Sequence, residues 1–412
     1  MKVEEVVRGL DLPTTMAFLG PNDILVLEKD KGTVQRIVNG KILPEPLLDV
    51  NVATSVERCM CGIAAVSKSS SSNVGSTTTY VFLYFTEAEI TDSEDVTQGK
   101  DPLGNRLYRY ELDNNNNKLI NPVLLLDLPA TPGPRHNGGA IMIGPDNYLY
   151  IPIGDVDGSG NGKETKAQNY VDGIEPDGRG GILRITQDGG VVGGGGILGN
   201  EDPLNKYYAY GIRNSFGFDF DPVTGNIWDT ENGPGDGPGE GDEINLVEPG
   251  FNSGWQEIHG MASIAADINN FNPNDDLVNF EGKGRYSDPE FAWIETVGPT
   301  ALKFLNSDNK LGMQYVNDMF VGDVHMGNIY HFDLNEARTD LILGGLLADK
   351  VADTDSELES SAADIGNGND NGGGIIFGKG FGGITDLEVG PDGYLYVVSI
   401  GQGAIYRVVP SQ

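Results

Sequence analysis

The sequence predicts an all-β chain: a six-bladed β-propeller with four-stranded antiparallel blades and long mouth loops. Three observations carry this prediction. Six segments share one pattern of turn, strand, turn and strand. In each, apolar residues alternate and are bounded by Gly, Pro, Asn and Asp, which is the strand-hairpin signal. The chain has 59 glycines, which suit many tight turns, and no long helical period competes. Self-similar β units of this kind build a propeller with one sheet per repeat.

The first unit, GPNDILVLEKDKGTVQRIV, runs from Gly20 to Val38. The second pairs YVFLYFTEA from Tyr80 with NRLYRYEL from Asn105. The third, GPDNYLYIPIGD from Gly144 to Asp155, is nearly repeated by the sixth, GPDGYLYVVSIGQGAIYRVV from Gly390 to Val409. Between them lie DPVTGNIWDTENG, Asp221 to Gly233, and DMFVGDVHMGNIYHFDL, Asp318 to Leu334. The N-terminal VEEVVRG is expected to close the ring against the last blade. The spacing, roughly 70 residues per blade, exceeds that of common compact blades. The surplus falls in SKSSSSNVGSTTT after Val66, DNNNN from Asp113, DGGVVGGGGILGN from Asp188 and the acidic Gly-rich run from Asp353 to Gly374. Such segments cannot bury a core and are expected to be loops. A ring of blades escapes the usual size limit of one core, so residues 1–412 read as one domain.

Composition excludes several partners. The formal net charge is −34, so the general surface repels nucleic acid and anionic membranes. No stretch approaches the ~20 apolar residues of a membrane span. The opening MKVEEVVRGLDLP is acidic and alternating, unlike a signal peptide. The only cysteines are Cys59 and Cys61. A bond between them would close a very small loop, so they read as buried small apolar residues, with soft-metal binding or a redox bond as the lesser reading.

Several residues can carry chemistry. His136 sits in a glycine-lined loop before a strand pair that Asp155 ends. Across adjacent strand mouths these two can hydrogen-bond, which fixes the tautomer and raises basicity. The loop Asp155-Val156-Asp157-Gly158-Ser159-Gly160 opens like a calcium loop, but its twelfth position is Lys166, so it reads as an Asp-Gly turn. Glu57 is either half of a surface ion pair with Arg58 or a residue of the central mouth. Arg213 can clamp a carboxylate in two-pronged fashion. Gly233-Pro234 forms a corner whose carbonyls are free to face a hard cation, and Asp242 and Glu243 add charged oxygens. An arginine beside cation-ready oxygens suits an anionic, metal-bridged ligand.

Four segments, ERCMCGIA, RHNGGAIMIGPDNYLYIPIGD, YGIRNSFGFDFDPVTGNIWDTENGP and DEINLVEPGFNSGW, resemble the soluble pyrroloquinoline-quinone-dependent sugar dehydrogenases of the glucose/sorbosone dehydrogenase family. The resemblance runs from near Leu12 to Pro410. It implies a six-bladed propeller and oxidation of aldose sugars or related polyols at the anomeric carbon, with hydride passing to calcium-bound quinone. It implies that His136 is the general base and Asp155 its orienting carboxylate. Arg213, Asn214, Asn232, Asp242, Glu57 and His325 then face the cofactor or its pocket. The carbonyls of Gly233 and Pro234 bind the cofactor's Ca2+, while Glu243 and the Ser253 carbonyl bind a second, structural Ca2+. The implied partners are a sugar and an external electron acceptor, and the implied location is extracellular, periplasmic or at the cell surface.

Two departures from the family pattern stand out. His325 occupies the position of a fifth-blade lysine, and Gly383 and Thr385 occupy those of two last-blade arginines. The Gly-rich run from Asn367 to Gly383 can offer backbone donors instead. These losses motivate an alternative, a calcium-stabilised propeller that binds a glycan or protein and has lost the quinone. A calcium-dependent hydrolase of the lactonase type is a third reading; such sites gather several carboxylates and amides around one ion, whereas the best cation site here uses the Gly-Pro backbone.

Overall fold

The computed structural model of the protein describes residues 1–69, 77–89, 96–97, 102–157, 164–193, 196–235, 237, 240–264, 271–359 and 374–411. The tip of the first insertion, Ser159-Gly160 and most of the acidic Gly-rich run lie outside them. The described residues form six separate sheets with a few short helical turns. In chain order their opening strands are Pro13–Gly20, Met60–Ser69, Met142–Ile143, Ser215–Phe220, Pro299–Phe304 and Ile384–Val389, with the short Val52–Ala53 also joining the second sheet and Lys2–Arg8 the sixth.

Each of the six sequence units lies in its own sheet. Asp23–Glu28 pairs with Thr33–Val38, Thr77–Glu87 with Gly104–Asp113, and Leu395–Ser399 with Ala404–Val409, all antiparallel. The N-terminal strand Lys2–Arg8 pairs antiparallel with Ala404–Val409, so the first residues of the chain complete the last sheet. Strands of successive sheets touch, the third meeting the fourth through Leu149–Ile153, and Ile384–Val389 returns to Pro13–Gly20, so the circuit of contacts closes. The arrangement is propeller-like.

Four-stranded antiparallel sheets were expected throughout, but the sheets hold four to six strands. Short returning segments dock parallel on outer edges: Phe251–Asn252 on Tyr207–Tyr210, Arg285–Tyr286 beyond it, and Val351–Ala352 on Phe291–Trp293. Edge strands offer unpaired backbone groups, and these returning segments satisfy them.

Apolar clusters fill the gaps between adjacent sheets. Leu125, Ile151, Leu183 and Tyr207 pack between the second and third, and Trp228, Trp293, Val321 and Phe332 between the fourth and fifth. Because both faces are covered, Leu149–Ile153 and Leu395–Ser399 are buried at every position. Polar staples join neighbouring opening strands. Thr14 Oγ1 donates to the Met60 carbonyl at 2.7 Å, and the Met16 and Phe304 amides donate to Asp386 and Asp219 at 2.8 and 2.9 Å. These bonds leave the strand ends to present their loops at a fixed mouth.

Cys59 and Cys61 are buried as expected, but they are joined in a disulfide. A register shift between Met60 and Gly62 interrupts the pairing with Thr77–Glu87 at this point. It sets the two Cα atoms 5.1 Å apart, inside the range a disulfide bridges. No helix among the described residues is long and apolar enough to cross a membrane.

Candidate functional site

A cavity of 390 Å³ opens at the mouth and is lined by residues from several sheets. Of the residues singled out in the sequence, Glu57, His136, Arg213, Asn214, Asn232, Gly233, Pro234, Asp242 and His325 line it. Asp155 stands behind His136. Glu243 and Ser253 lie in a separate buried cluster. Thr385 lines the cavity; Gly383 does not.

His136 adopts φ 59°, a left-handed conformation uncommon outside glycine, Asn and Asp. Its amide donates to Glu57 Oε2 at 2.7 Å, which anchors this backbone. Asn214 Nδ2 reaches the same oxygen at 3.3 Å, so Glu57 belongs to the mouth and not to a surface pair. Arg58 is buried and donates to the Ala130 carbonyl. The His136 ring is buried, with Nδ1 2.5 Å from Asp155 Oδ1. Asp155 is fixed in turn by the Trp255 indole, 2.8 Å from Oδ2, and by the Asp157 amide, 3.0 Å from Oδ1. With Asp155 as a carboxylate, Nδ1 carries the proton and the Nε2 lone pair is left for chemistry. Gly154 is required here, because a Cβ would strike the Arg213 carbonyl and the His136 side chain.

Arg213 sits 5.4 Å from the Trp255 ring, and its Nη1 donates to the Asn232 carbonyl at 2.6 Å. Its buried Nε has no hydrogen-bond partner, nor does Asn214 Oδ1, among the described residues. Burial pulls the guanidinium below its ordinary pKa, partly offset by the fields of Asp155, Glu231, Glu57 and Asp242. Such a cation is primed for an incoming anion.

Asp242 shapes the corner. Its Oδ1 accepts the Gly233 amide at 2.9 Å, and its Oδ2 accepts the Val297 and Gly298 amides at 2.7 and 2.8 Å. Burial raises its carboxyl, and these three amides oppose the rise. Among the described residues nothing donates to the carbonyl oxygens of Gly233 or Pro234. His325 is exposed at the rim, with Nδ1 3.1 Å from the Thr296 carbonyl.

Behind the cavity, Asp229, Glu231 and Glu243 are fully buried. Ser253 Oγ donates to Glu231 Oε2 at 2.7 Å, and His259 Nδ1 lies 3.4 Å from Glu243 Oε1. Burial is the first cause of every shift in this cluster. It raises Asp229 to about 7 and Glu243 to about 8, pushes Glu231 well up, and drops His259 to about 3. Glu231 links the two places, since its Oε1 accepts the Arg213 amide at 2.5 Å.

Sequence reasoning missed Lys29, Phe216 and Thr14 on the cavity wall, and Trp255 and Glu231 behind it. Lys29 had a signal: it follows the second strand of the first sheet, Asp23–Glu28, as Asn232 follows the second strand of the fourth, Ile227–Glu231.

An all-β ring with a histidine–carboxylate pair, a buried arginine and a carbonyl corner at its mouth defines a class of enzyme-like propellers. Residues 10–407 match the model of the glucose/sorbosone dehydrogenase family, and the chain belongs to that family. It is 24% identical over 288 residues to the aldose sugar dehydrogenase YliI of Escherichia coli (strain K12), covering 69% of this chain and 62% of that protein. The fold is similar to that of a putative oxidoreductase (glucose dehydrogenase) from Thermus thermophilus, with TM-score 0.68, 24% identity, and coverage of 98% of this chain and 99% of that one. It is also similar to the PQQ-bound aldose sugar dehydrogenase of Streptomyces coelicolor, with TM-score 0.62, 21% identity, and coverage of 98% and 97%.

Proposed function

We propose that residues 1–412 form one six-bladed propeller that oxidises aldose sugars at the anomeric carbon, using pyrroloquinoline quinone and Ca2+. The observation that carries the reading is the meeting of His136, Arg213 and the Gly233-Pro234 corner on one cavity wall, with unsatisfied polar atoms at Arg213 and Asn214. A cavity of 390 Å³ is in the range of small-ligand sites. The orphaned donor suits an anionic ligand and the free carbonyls suit a hard cation, so the residues present fit both groups.

Bound with calcium, the quinone supplies a two-electron acceptor made more electrophilic by the metal. Arg213, Asn214 and Asn232 would hold it, and the carbonyls of Gly233 and Pro234 would hold its Ca2+. Asp242 positions that corner. His136 Nε2 takes the proton of the sugar's anomeric hydroxyl, while Asp155 and Trp255 keep the ring in place and stabilise the resulting imidazolium. Glu57 keeps the His136 backbone in its left-handed conformation. Glu243 and the Ser253 carbonyl form the second Ca2+ site, where an ion would replace the protons that the buried acids otherwise hold. The buried Cys59–Cys61 disulfide supports a location outside the reducing cytoplasm. The electrons leave to an external acceptor.

The test is reconstitution of calcium-loaded protein with pyrroloquinoline quinone, followed by dye reduction with a panel of aldoses. Sugar-dependent reduction that requires both additions supports the proposal. Calcium-dependent stabilisation with no quinone binding and no reduction would instead favour a glycan- or protein-binding propeller.

A further inference from the structure

Four of the six sheets present the residue just past their second strand to the cavity. These are Lys29 after Asp23–Glu28, Asn232 after Ile227–Glu231, Val324 after Met319–Asp323 and Ile400 after Leu395–Ser399. Lys29 is the charged member of this set. Its backbone is fixed on both sides: its amide donates to the Leu12 carbonyl at 3.0 Å, and its carbonyl accepts the Met60 amide at 3.0 Å. The side chain is only 17% exposed, and its ammonium meets Asp30 Oδ1 at 2.8 Å, on a carboxylate that is 38% exposed. A pair with one solvated partner holds an ammonium weakly, so an anion in the cavity can compete for it.

The neighbouring wall explains why this cation matters. The Thr385 hydroxyl donates to the Pro13 carbonyl at 3.0 Å, and Thr14 continues the same face. Of the cavity residues contributed by the first and sixth sheets, Thr14, Lys29, Thr385 and Ile400, Lys29 alone is charged. Arg213 comes from the loop that enters the fourth sheet. A ligand bearing several carboxylates therefore meets Lys29, a mobile point charge on the first-sheet side, together with the planar forks of Arg213 and the exposed Arg135 from other parts of the mouth.

We propose that Lys29 binds a carboxylate of the quinone, bringing from the first sheet the charge that Gly383 and Thr385 do not bring from the sixth. This rests on the quinone reading above. Calorimetric titration of pyrroloquinoline quinone into calcium-loaded protein, at two salt concentrations, tests it. Lys29→Met is expected to raise Kd about tenfold or more and to flatten its salt dependence, while Lys29→Arg stays within about threefold of wild type. Asp30→Asn, which removes the competing carboxylate, is expected to tighten binding about twofold. Thermal melts in calcium without quinone check that the variants are folded. Quinone binding by Lys29→Met within about twofold of wild type, with the same salt slope, overturns this inference and leaves the dehydrogenase reading standing. No quinone binding by the wild type overturns both.

Discussion

The mouth cavity and the acid cluster behind it are built from the same run of strands, yet their charges are opposite in sign. At the mouth Arg213 lines the cavity, and its buried Nε has no partner among the described residues. Behind it Asp229, Glu231 and Glu243 are sealed in, and burial lifts their carboxyls far above the ordinary range. An uncompensated buried charge is costly, so each place calls for a counterion of its own kind: an anion at the mouth, and protons or a cation behind. Glu231 touches both, accepting the Arg213 amide on one oxygen and the Ser253 hydroxyl on the other. The contrast teaches that one buried side chain, Glu231, joins the scaffolds of both places.

The sharpest way to separate proton transfer from binding at the mouth is His136→Asn. Asparagine tolerates the left-handed backbone at this position, so the loop is expected to keep its shape. Turnover of the reconstituted enzyme is expected to fall about 10³-fold, while quinone affinity by titration stays within about threefold. Equal losses in both would show that His136 serves binding and not proton transfer. Next in size, Arg213→Met is expected to weaken quinone binding about 10- to 100-fold by calorimetry, with little change in the calcium-only melt.

The acid cluster answers to pH. Glu243 and Asp229 hold protons in the folded state up to about 8 and 7, whereas a free chain releases them near about 4. Within that window the folded state binds more protons than the unfolded state, so the calcium-free protein loses stability as pH rises and levels off above it. On the proposed reading, Ca2+ entering this cluster displaces those protons, and its stabilising effect is expected to grow with pH. The calcium-induced rise in Tm at about pH 8 is expected to exceed that at about pH 5 by on the order of 5 °C. Identical rises at both pH values would mean that the ion does not enter this cluster.

The smallest expected effect concerns the support behind the His136–Asp155 pair. Trp255→Phe removes the indole donor from Asp155 while leaving a ring near Arg213. Turnover is expected to fall about three- to tenfold, and combining it with His136→Asn should add nothing. An additive double variant would mean that Trp255 acts on something other than the His136–Asp155 pair.

The all-β class, four of the six strand pairs and the closing N-terminal strand were legible because period-2 alternation and turn residues are local signals, while the third and fourth units each hold one strand, Leu149–Ile153 and Ile227–Glu231. The cavity residues were legible because His136, Arg213 and Gly233-Pro234 each sit at a strand mouth marked by Gly, Asn or Pro. The parallel edge strands were not, since no local pattern says which edge a returning insertion will cover. The Cys59–Cys61 bond was only the lesser reading because the loop it closes is very small, and the bulge that accompanies it arises from pairing with Thr77–Glu87. Neither Lys29 nor Trp255 was singled out in the sequence. Only packing set one into the cavity and the other onto a carboxylate 100 residues away in the chain. What the sequence by itself determined was the repeat, the strand ends and the residue types available at each. Which of those ends converge, and which buried charges meet without a partner, was decided by ring closure, because electrostatics acts through distances in space and the chain alone does not set them.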